Sequence, residues 1–445
     1  MGEFYKEYDI ETSHLSSVEQ EALVVFKKIA KIAGEIFSKQ KQLDAPGASL
    51  YPEDATKEEL TKSAAKNPLI LDQYSVVKRD PDGLLYAVDY YTEYKDEIDE
   101  IIRLLNSAAD IYQEGEYAEY LRQLARDHKS NDYAESEKMW LAIEGNDLDI
   151  KVGPAEKYID RLMGLKRGFN ANIRIKERSG KYDDLVVYNS VLSKIYPESP
   201  FGGDKPELDL KIRFDNIVAV GGWHAYMTPP ANNYPKFDVL HGEIWSHAKD
   251  LVYINNLIGS DKFKIQNSID QIYSNSAKEL LDLDNAGYYS VMYGSVHDIA
   301  VSIVRYKDYG SRNTNLGHRR DTIMNIVTEV MAIKAVAHQV SLGLESTKNY
   351  QNLLAMFPLR KLHIKNWGQT KGTDYKRTFT DGGSVVVGYF IKHKGITFDD
   401  QNKMILDLKK MSDLSDQLYS VLMNMLQSGT EDEAKKFFSE YSSES

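Results

Sequence analysis

The sequence predicts an α+β fold in which helix dominates. Long segments place apolar residues three and four positions apart, the spacing of a buried helix face. Shorter segments place apolar runs around turn residues, as strands and hairpins do. The 445 residues suit one large domain or two to three ordinary ones. We therefore expect a helix-rich fold with a smaller share of sheet.

The N-terminal part carries the clearest helix signals. Ser16 and Glu19 have the spacing of a capping box, and apolar residues follow at helical intervals as far as Phe37. A second box, Thr56 with Glu59, predicts the start of a short helix.

A hairpin and two helices are expected next. VVKRDPDGLLYAVDYY places Asp-Pro-Asp-Gly between two apolar runs, which is typical of a hairpin. From Ile98 to Tyr112, apolar residues recur at intervals of four and three, which predicts a long amphipathic helix. Another helix is expected from about Tyr117 to His128.

The middle of the chain mixes both patterns. NIRIKERSGKYDDLVVY is interpreted as two strands around a Ser-Gly turn, and KIRFDNIVAVGGW as a further strand. The turn-rich YPESPFGGDKPELD is the best linker candidate. It divides the chain into a mixed α/β lobe at 1–205 and a mainly helical lobe at 206–445, with interleaved segments.

The C-terminal part is expected to be mainly helical. Ser268 to Leu344 follows helical intervals, whereas DGGSVVVGYF predicts a turn and a strand. A final helical run is expected from Asp399 to about Tyr441.

Composition excludes several classes of function. The absence of cysteine excludes disulfide frameworks, thiolate metal sites and cysteine nucleophiles. The formal net charge of −12 argues against a general nucleic-acid binder. The charged start MGEFYKEYDIE shows no secretory signal, and no apolar run approaches the roughly 18 residues that span a bilayer. We therefore expect a cytoplasmic protein without nucleic-acid or membrane partners.

One basic segment departs from the acidic balance. LRKLHIKNWGQTKGTDYKR (Leu359 to Arg377) carries Trp367 and Tyr375 among its cations, which would suit a nucleic-acid groove. The alternative, which we favour, is a solvated basic surface.

HGEIWSH (His241 to His247) contains the residue types of a zinc helix at the wrong spacing. A zinc helix places its two His residues four apart, so that both imidazoles lie on one face. Here the separation is six, which puts the rings on opposite sides of a helix. On a strand the two would be roughly 20 Å apart. We interpret this segment as an ordinary strand or surface segment.

Long blocks of the sequence resemble the dipeptidyl peptidase III family of zinc metallopeptidases, especially its shorter bacterial members. KNPLILDQYSVVKRDPDGLLYAVDYYTEY and IKVGPAEKYIDRLMGLKRGFNANI follow the family in order and spacing. The second block keeps Gly153, Pro154, Glu156, Tyr158, Asp160, Leu162, Gly164, Lys166 and Phe169. Two of its usual acidic positions are Ile159 and Asn170. The resemblance spans nearly the whole chain and implies a two-lobed fold with a central cleft.

The resemblance places the family's H-E-x-x-H zinc motif at YGSVH. Tyr293 stands where the family has its first His ligand, Gly294 stands at the catalytic Glu, and His297 is kept. In the second zinc helix, Glu329 falls at the family's Glu ligand, and Thr328 replaces an acidic neighbour.

These replacements lead us to expect no stable zinc and no dipeptidyl peptidase activity. His297 and Glu329 are the residual ligand positions, and two ligands are one short of a catalytic zinc site. Gly294 has no side chain to act as the general base that the resemblance implies. We expect no cofactor. The family's N-L-P-N-D motif, which helps line its cleft, retains Asn233.

Gly294 has two interpretations. A glycine inside a helix costs roughly 1 kcal/mol relative to alanine, so it would be kept if it opened space for a ligand beside Tyr293 and His297. Alternatively, the site drifted after zinc was lost, and Tyr293 packs as a core aromatic residue with Tyr289, Val296 and Ala300.

Three functions remain open. In the first, a non-catalytic relative binds a peptide or small molecule through Tyr293, Gly294, His297, Thr328, Glu329 and Asn233. In the second, an enzyme without zinc uses His297 as a general base, with Tyr293 and Glu329 as acid or orienting groups. In the third, zinc is retained with Tyr293 as a ligand. The ligand and the oligomeric state cannot be named from the sequence.

Overall fold

The computed structural model describes residues 4–41, 47–156, 159–160, 162–196, 208–236, 247–308, 313–316, 319–371 and 381–441. Helix dominates over strand in these ranges, which confirms the α+β, helix-rich class. No helix among them is long and apolar enough to cross a membrane.

The elements are numbered in chain order. The helices are α1 (Ser17–Gln40), α2 (Lys57–Ala64), α3 (Tyr90–Glu93), α4 (Lys95–Tyr112), α5 (Glu116–Ser130), α6 (Ala134–Ala142), α7 (Tyr188–Ile195), α8 (Trp223–Tyr226), α9 (Ile254–Ile272), α10 (Asn275–Lys278), α11 (Ala286–Asp308), α12 (Arg319–Ser341), α13 (Thr347–Lys371), α14 (Asp381–Lys392), α15 (Leu408–Ser428) and α16 (Glu431–Tyr441). The strands are β1 (Tyr5–Glu7), β2 (Ser75–Arg79), β3 (Leu85–Asp89), β4 (Leu148–Glu156), β5 (Gly168–Lys176), β6 (Lys211–Gly222), β7 (Ala231–Tyr234), β8 (Lys249–Tyr253), β9 (Ile396–Phe398) and β10 (Met404–Leu406).

Two compact units are built from alternating segments of the chain. The first consists of Met1–Arg178, Asp215–Pro229 and Pro235–Leu240. The second consists of Ser179–Phe214, Pro230–Tyr234 and His241–Ser445. The boundary predicted at 205/206 lies outside the described residues.

The first unit packs helices α1, α4 and α5 with an antiparallel sheet in which β5 lies between β4 and β6. The predicted capping box is present, since Ser16 and Glu19 each accept a hydrogen bond from the other's backbone N–H. Strand β6 passes α1 so closely that a Cβ on Gly221 would lie 1.9 Å from the carbonyl oxygen of Ala30. Glycine is therefore required at this crossing.

The predicted hairpin and the helices around it are confirmed. Strands β2 and β3 pair antiparallel from Ser75–Asp89 to Arg79–Leu85 across the Asp-Pro-Asp-Gly turn. Thr56 caps α2 by accepting a hydrogen bond from the backbone N–H of Glu59 at 3.1 Å.

The second strand expected in NIRIKERSGKYDDLVVY is wrong. A 3₁₀ turn at Asp183–Val187 leads there into α7. Leu185, Tyr188 and Leu192 are buried at intervals of three and four, while the β-branched pair that suggested a strand is exposed. Helical burial on one face outweighs the strand preference of two exposed valines.

Two C-terminal expectations also need correction. DGGSVVVGYF forms helix α14 instead of a strand, because Val385, Val386 and Phe390 are buried in the helical core of the second unit. Tertiary packing thus overrides the strand propensity of valine. The helical run expected from Asp399 begins only at Leu408, since β9 and β10 form an antiparallel hairpin before it.

Helices α11 and α12 lie in the core of the second unit. Helix α11 packs against α9, α12 and α13, and α12 also packs against α14 and α15. Buried residues occur all round both helices, which is typical of core helices. Several polar side chains on these two helices are therefore buried, and together with two cations of α13 they form the candidate site.

Candidate functional site

Tyr293 and His297 lie one turn apart on α11, as the sequence predicted. Their rings are parallel within 3°, with centroids 6.2 Å apart. Tyr293 is 5% exposed and His297 is 9% exposed. Phe357 of α13 packs edge-on against the Tyr293 ring at 5.7 Å. Tyr293 is therefore packed as a buried aromatic residue beside a buried imidazole.

Helix α12 brings Thr328 and Glu329 to the same region. The imidazole of His297 makes a hydrogen bond to the Thr328 backbone. The hydroxyl of Thr328 donates to the carbonyl oxygen of Asn325 at 2.8 Å. The carboxylate of Glu329 forms a buried ion pair with Lys361 of α13. The structure thus brings together the two family ligand positions that the sequence retained.

Arg360 and Lys361 place two cations against Tyr293. The guanidinium carbon of Arg360 lies 4.7 Å from the Tyr293 ring centroid, and the Lys361 ammonium lies 5.3 Å from it. Nη1 of Arg360 also donates to the carbonyl oxygen of Ser290 at 3.2 Å. Lys361 is 5% exposed, so the solvated basic surface expected from Leu359 onwards is wrong for this residue.

His297 is an uncharged imidazole in this environment. Burial, followed by the Lys361 ammonium and the Arg360 guanidinium, lowers the pKa of His297 to about 3. The hydrogen bond to the Thr328 backbone opposes this change and is the smaller effect. At neutral pH the site therefore contains two cations, one carboxylate and a neutral imidazole.

Three of the buried polar atoms at this site have no hydrogen-bond partner among the described residues. They are the hydroxyl oxygen of Tyr293, Nδ1 of His297 and Oε2 of Glu329. A buried polar atom left unpaired costs about 1–3 kcal/mol, so most such atoms in proteins find a partner. We call the set Tyr293, His297, Glu329, Arg360 and Lys361 the polar cluster.

The space beside Gly294 is filled in this conformation. A Cβ at this position would lie 3.2 Å from Cδ1 of Leu257 on α9 and 3.6 Å from Nη2 of Arg360. The missing side chain therefore lets Leu257 pack closely against α11. As a ligand contact, Gly294 stays a prediction.

Asn233 is held by a separate hydrogen-bond network. Its amide nitrogen donates to Oδ1 of Asp250 at 2.8 Å, and to the carbonyl oxygen of Asp298 and the hydroxyl of Ser302, each at 3.2 Å. Asp250 and Ser302 are fully buried. Asn233 therefore ties β7 and β8 to α11, and its predicted contact with a ligand remains a prediction.

The residues present do not fit a zinc site. Within the described ranges, no group of three or more His, Asp or Glu side chains could hold a metal ion. The carboxylate of Glu329 already accepts a hydrogen bond from the Lys361 ammonium. An ammonium has no lone pair for a metal and repels a divalent cation.

The matched family block forms a structural loop in the first unit. The carboxylate of Asp160 accepts hydrogen bonds from four backbone N–H groups between Leu162 and Lys166 and from the hydroxyl of Tyr51. Gly164 has φ +72°, a conformation that favours glycine. Asp160 and Gly164 of this block therefore stabilise a loop of the first unit.

A buried polar network surrounds Glu156 in the same unit. Burial raises its pKa, but the Lys236 ammonium and a hydrogen bond with His224 outweigh this and lower the pKa of Glu156 to about 2. The family pattern usually has an acidic residue at the position of Asn170. The side-chain nitrogen of Asn170 lies 3.1 Å from Nε2 of His224.

Two sequence predictions concern residues that are not described. Tyr158 of this block and His241–Ser246 of HGEIWSH lie outside the described residues. His247 is exposed, 3.8 Å from the Asp209 carboxylate.

Sequence reasoning missed Lys361, Arg360 and Leu257 as parts of the site. The cations stand in a basic segment that the sequence suggested to be solvated. The available signal was the pair Arg360 and Lys361 directly after Pro358-Leu359, on a helix whose residues Leu353–Phe357 are all apolar. Cationic residues that directly follow an apolar helical segment can be buried in the core with it.

Comparisons with known proteins agree with the fold. No protein-family model matches the chain. A curated relative, Nudix hydrolase 3 of Arabidopsis thaliana, is 20% identical over 431 residues, covering 89% of this chain, which spans about half (54%) of that relative's length.

Two solved structures superpose over 98% of this chain with a TM-score of 0.79 and 18% identity. They are DPP III from Caldithrix abyssi, covered over 92% of its length, and dipeptidyl-peptidase III from Corallococcus sp. strain EGB, covered over 90%. This chain therefore has the dipeptidyl peptidase III fold.

Proposed function

We propose that this chain is not a zinc peptidase and that it binds a small peptide or another small polar molecule at the polar cluster. The observation that carries the proposal is the set of three unpaired atoms on Tyr293, His297 and Glu329. They combine acceptors with a hydroxyl that can also donate. A peptide carries both donors and acceptors, so it suits such a set. Thr328 of α12 and Asn233 of β7 stay predicted ligand contacts, and Asn233 belongs to a separate hydrogen-bond network.

The polar cluster favours binding over acid–base catalysis. A general base works best when its pKa lies near the operating pH. The pKa of His297 is lowered to about 3, which makes the imidazole a weak base at neutral pH. Glu329 is already paired with Lys361. These two observations count against an enzyme that uses His297 with Glu329.

Entry of a ligand requires side chains to move. Leu257 and Arg360 lie against Gly294, where the sequence suggested open space. We expect these two side chains to rearrange when a ligand reaches Tyr293 and His297. Binding would remove little further surface of Leu257 from solvent, because that side chain is already buried.

A peptide panel tests the proposal. Purified protein is screened by thermal shift against unmodified dipeptides to pentapeptides and a set of small polar metabolites, and hits are measured by isothermal titration. Tyr293→Phe removes one unpaired hydroxyl and keeps the ring, so we expect at least a fivefold weaker Kd, or about 1 kcal/mol. Tyr289→Phe is the matched control, because its hydroxyl is already bonded to Asp282 and Asn349.

The outcomes are distinct. Binding that weakens in Tyr293→Phe but not in Tyr289→Phe supports the proposal. Absence of binding across the panel, or equal affinity in both variants, overturns it. Mass spectrometry of the same peptides after incubation provides a second readout. Zinc-dependent release of dipeptides from their amino termini by the wild-type protein would also overturn it.

A further inference from the structure

We propose that the Lys361 ammonium acts as an internal cation at this site and closes His297 and Glu329 to divalent metals. The inference concerns metal exclusion and stands independently of any ligand. It rests on the contacts that Lys361 of α13 makes with three other helices and with Phe357 of its own helix. The three are α11 through Tyr293, α12 through Glu329 and α14 through Gly383.

The carboxylate of Glu329 needs a neutralising charge in its buried position. Its side chain and that of Lys361 are each only 4% exposed. A carboxylate so deeply buried is stable only when a cation neutralises it and hydrogen bonds satisfy it. In the dipeptidyl peptidase III pattern, this carboxylate stands at a metal-ligand position. Here the Lys361 ammonium supplies the positive charge.

Tyr293 fits an ammonium through the face of its ring. An aromatic ring attracts a cation through its negative face without offering it a lone pair. The Lys361 ammonium lies 5.3 Å from the Tyr293 centroid and 5.4 Å from the Phe357 centroid, both within cation–π range. A residue at a former His-ligand position thus suits the lysine cation better than it suits zinc.

The stacked rings of Tyr293 and His297 bring the second retained ligand position close to the same cation. Their centroids lie 6.2 Å apart, and the Lys361 ammonium lies 5.3 Å from the Tyr293 centroid. The ammonium therefore repels a divalent cation at His297 as well as at Glu329.

Gly383 provides the space for the aliphatic part of the Lys361 side chain. A Cβ on Gly383 would lie 2.7 Å from Cδ of Lys361 and 3.2 Å from its Cβ and Cγ. No side chain at 383 could coexist with Lys361 in this position without a shift. Helix α14 therefore admits the lysine, and the ion pair is part of the packed core.

Metal binding by designed variants tests the inference. Tyr293→His with Lys361→Ala supplies two imidazoles and the Glu329 carboxylate and removes the ammonium. After dialysis against chelator, incubation with zinc and desalting, metal is quantified by inductively coupled plasma mass spectrometry. We expect about one zinc ion per chain above the wild-type level, since three protein ligands make a zinc site. Adding Glu329→Gln to this double variant should abolish the increment and so locate the metal.

The matched controls isolate the ammonium. Tyr293→His alone, and Tyr293→His with Lys361→Arg, keep a cation beside Glu329 and are expected to stay at the wild-type zinc level. Circular dichroism confirms folding of each protein. The inference is overturned if Tyr293→His alone gains as much zinc as the double variant. It is equally overturned if the folded double variant gains none.

A second measurement covers the case in which the zinc variants do not fold. Lys361→Met with Glu329→Gln removes both charges and retains shape, so it is expected to melt close to wild type. Each single substitution is expected to melt clearly lower, because one buried charge is left alone. Melting shifts of the two single variants that simply add in the double variant would show that the charges do not compensate each other, and would overturn the inference.

Discussion

Lys361 and Glu329 form an ion pair whose two side chains are almost completely buried, between residues 32 positions apart on helices α13 and α12. The pair lies where the family pattern of the sequence implies a zinc ligand. Burial, followed by the Lys361 ammonium, lowers the pKa of the neighbouring His297 imidazole. The charge balance of the site therefore depends on a lysine outside the YGSVH segment.

Gly383→Ala is expected to destabilise the protein by about 1–3 kcal/mol through overpacking against the Lys361 stem. The added Cβ would lie 2.7 Å from Cδ of Lys361. Gly259→Ala is the matched control, because that helical glycine has open space around its Cβ position. There the higher helix propensity of alanine should raise the free energy of unfolding by up to about 1 kcal/mol. Urea unfolding measures both. Equal free energies of unfolding in the two variants would contradict the packing seen at Lys361.

Stability is expected to fall on acidification below pH 6.5, and His297 should contribute to the fall. Its pKa is about 3 in the folded protein and about 6.5 when unfolded, so between these values the unfolded chain binds the extra proton. The contribution is complete above pH 6.5 and is lost as the pH falls towards 3, by about 1.4 kcal/mol per unit.

The measurement is urea unfolding at a series of pH values for wild type and His297→Gln. The free energy of unfolding should depend less steeply on pH in the variant than in wild type. The difference should correspond to about one proton taken up on unfolding. A remaining slope is expected, because burial also lowers the pKa of His128 to about 3. Identical slopes in the two proteins would show that His297 is not held neutral by its surroundings.

Tyr293→Phe should leave the free energy of unfolding unchanged or increase it in the absence of ligand. Its hydroxyl is buried without a partner among the described residues, so the folded state loses no hydrogen bond. Tyr289→Phe should lose about 1 kcal/mol, since that hydroxyl donates to Asp282 and Asn349. A clear loss of stability in Tyr293→Phe would mean that the hydroxyl is already satisfied within the protein.

Asn233→Ala should destabilise the second unit by about 3 kcal/mol, because it removes a donor from the buried Asp250 carboxylate. Asn232→Ala is the neighbouring control. Its amide donates to the neutral hydroxyl of Tyr253, so a loss of about 1 kcal/mol is expected. Denaturant unfolding of both variants measures these losses in the free energy of unfolding. Similar losses would argue against a special role of Asn233 in fixing α11.

Local signals in the sequence predicted much of the fold. The Ser16–Glu19 capping box and the hairpin turn depend on residues close in sequence, and both are present. The DGGSVVVGYF segment failed because Val385 and Val386 are buried by neighbouring helices, which local propensity does not include. The same limit applies to residues 183–187, where the spacing of buried positions decided against a strand.

Three of the five residues of the polar cluster, Tyr293, His297 and Glu329, followed from the sequence. The one-turn spacing of Tyr293 and His297 predicted that they share a face, and their rings stack. The ion-pair partner of Lys361 could not be predicted, because the pairing depends on Glu329 of another helix and on the room left by Gly383. In isolation, a lysine in a basic run indicates a solvated surface.

A crystal structure of the zinc-soaked wild-type protein, with anomalous data collected at the zinc edge, tests the central claim most directly. We expect the Lys361 ammonium to remain on the Glu329 carboxylate, with no anomalous peak between Glu329 and His297. An anomalous peak bonded to Glu329 and His297, with Lys361 turned away, would contradict the claim.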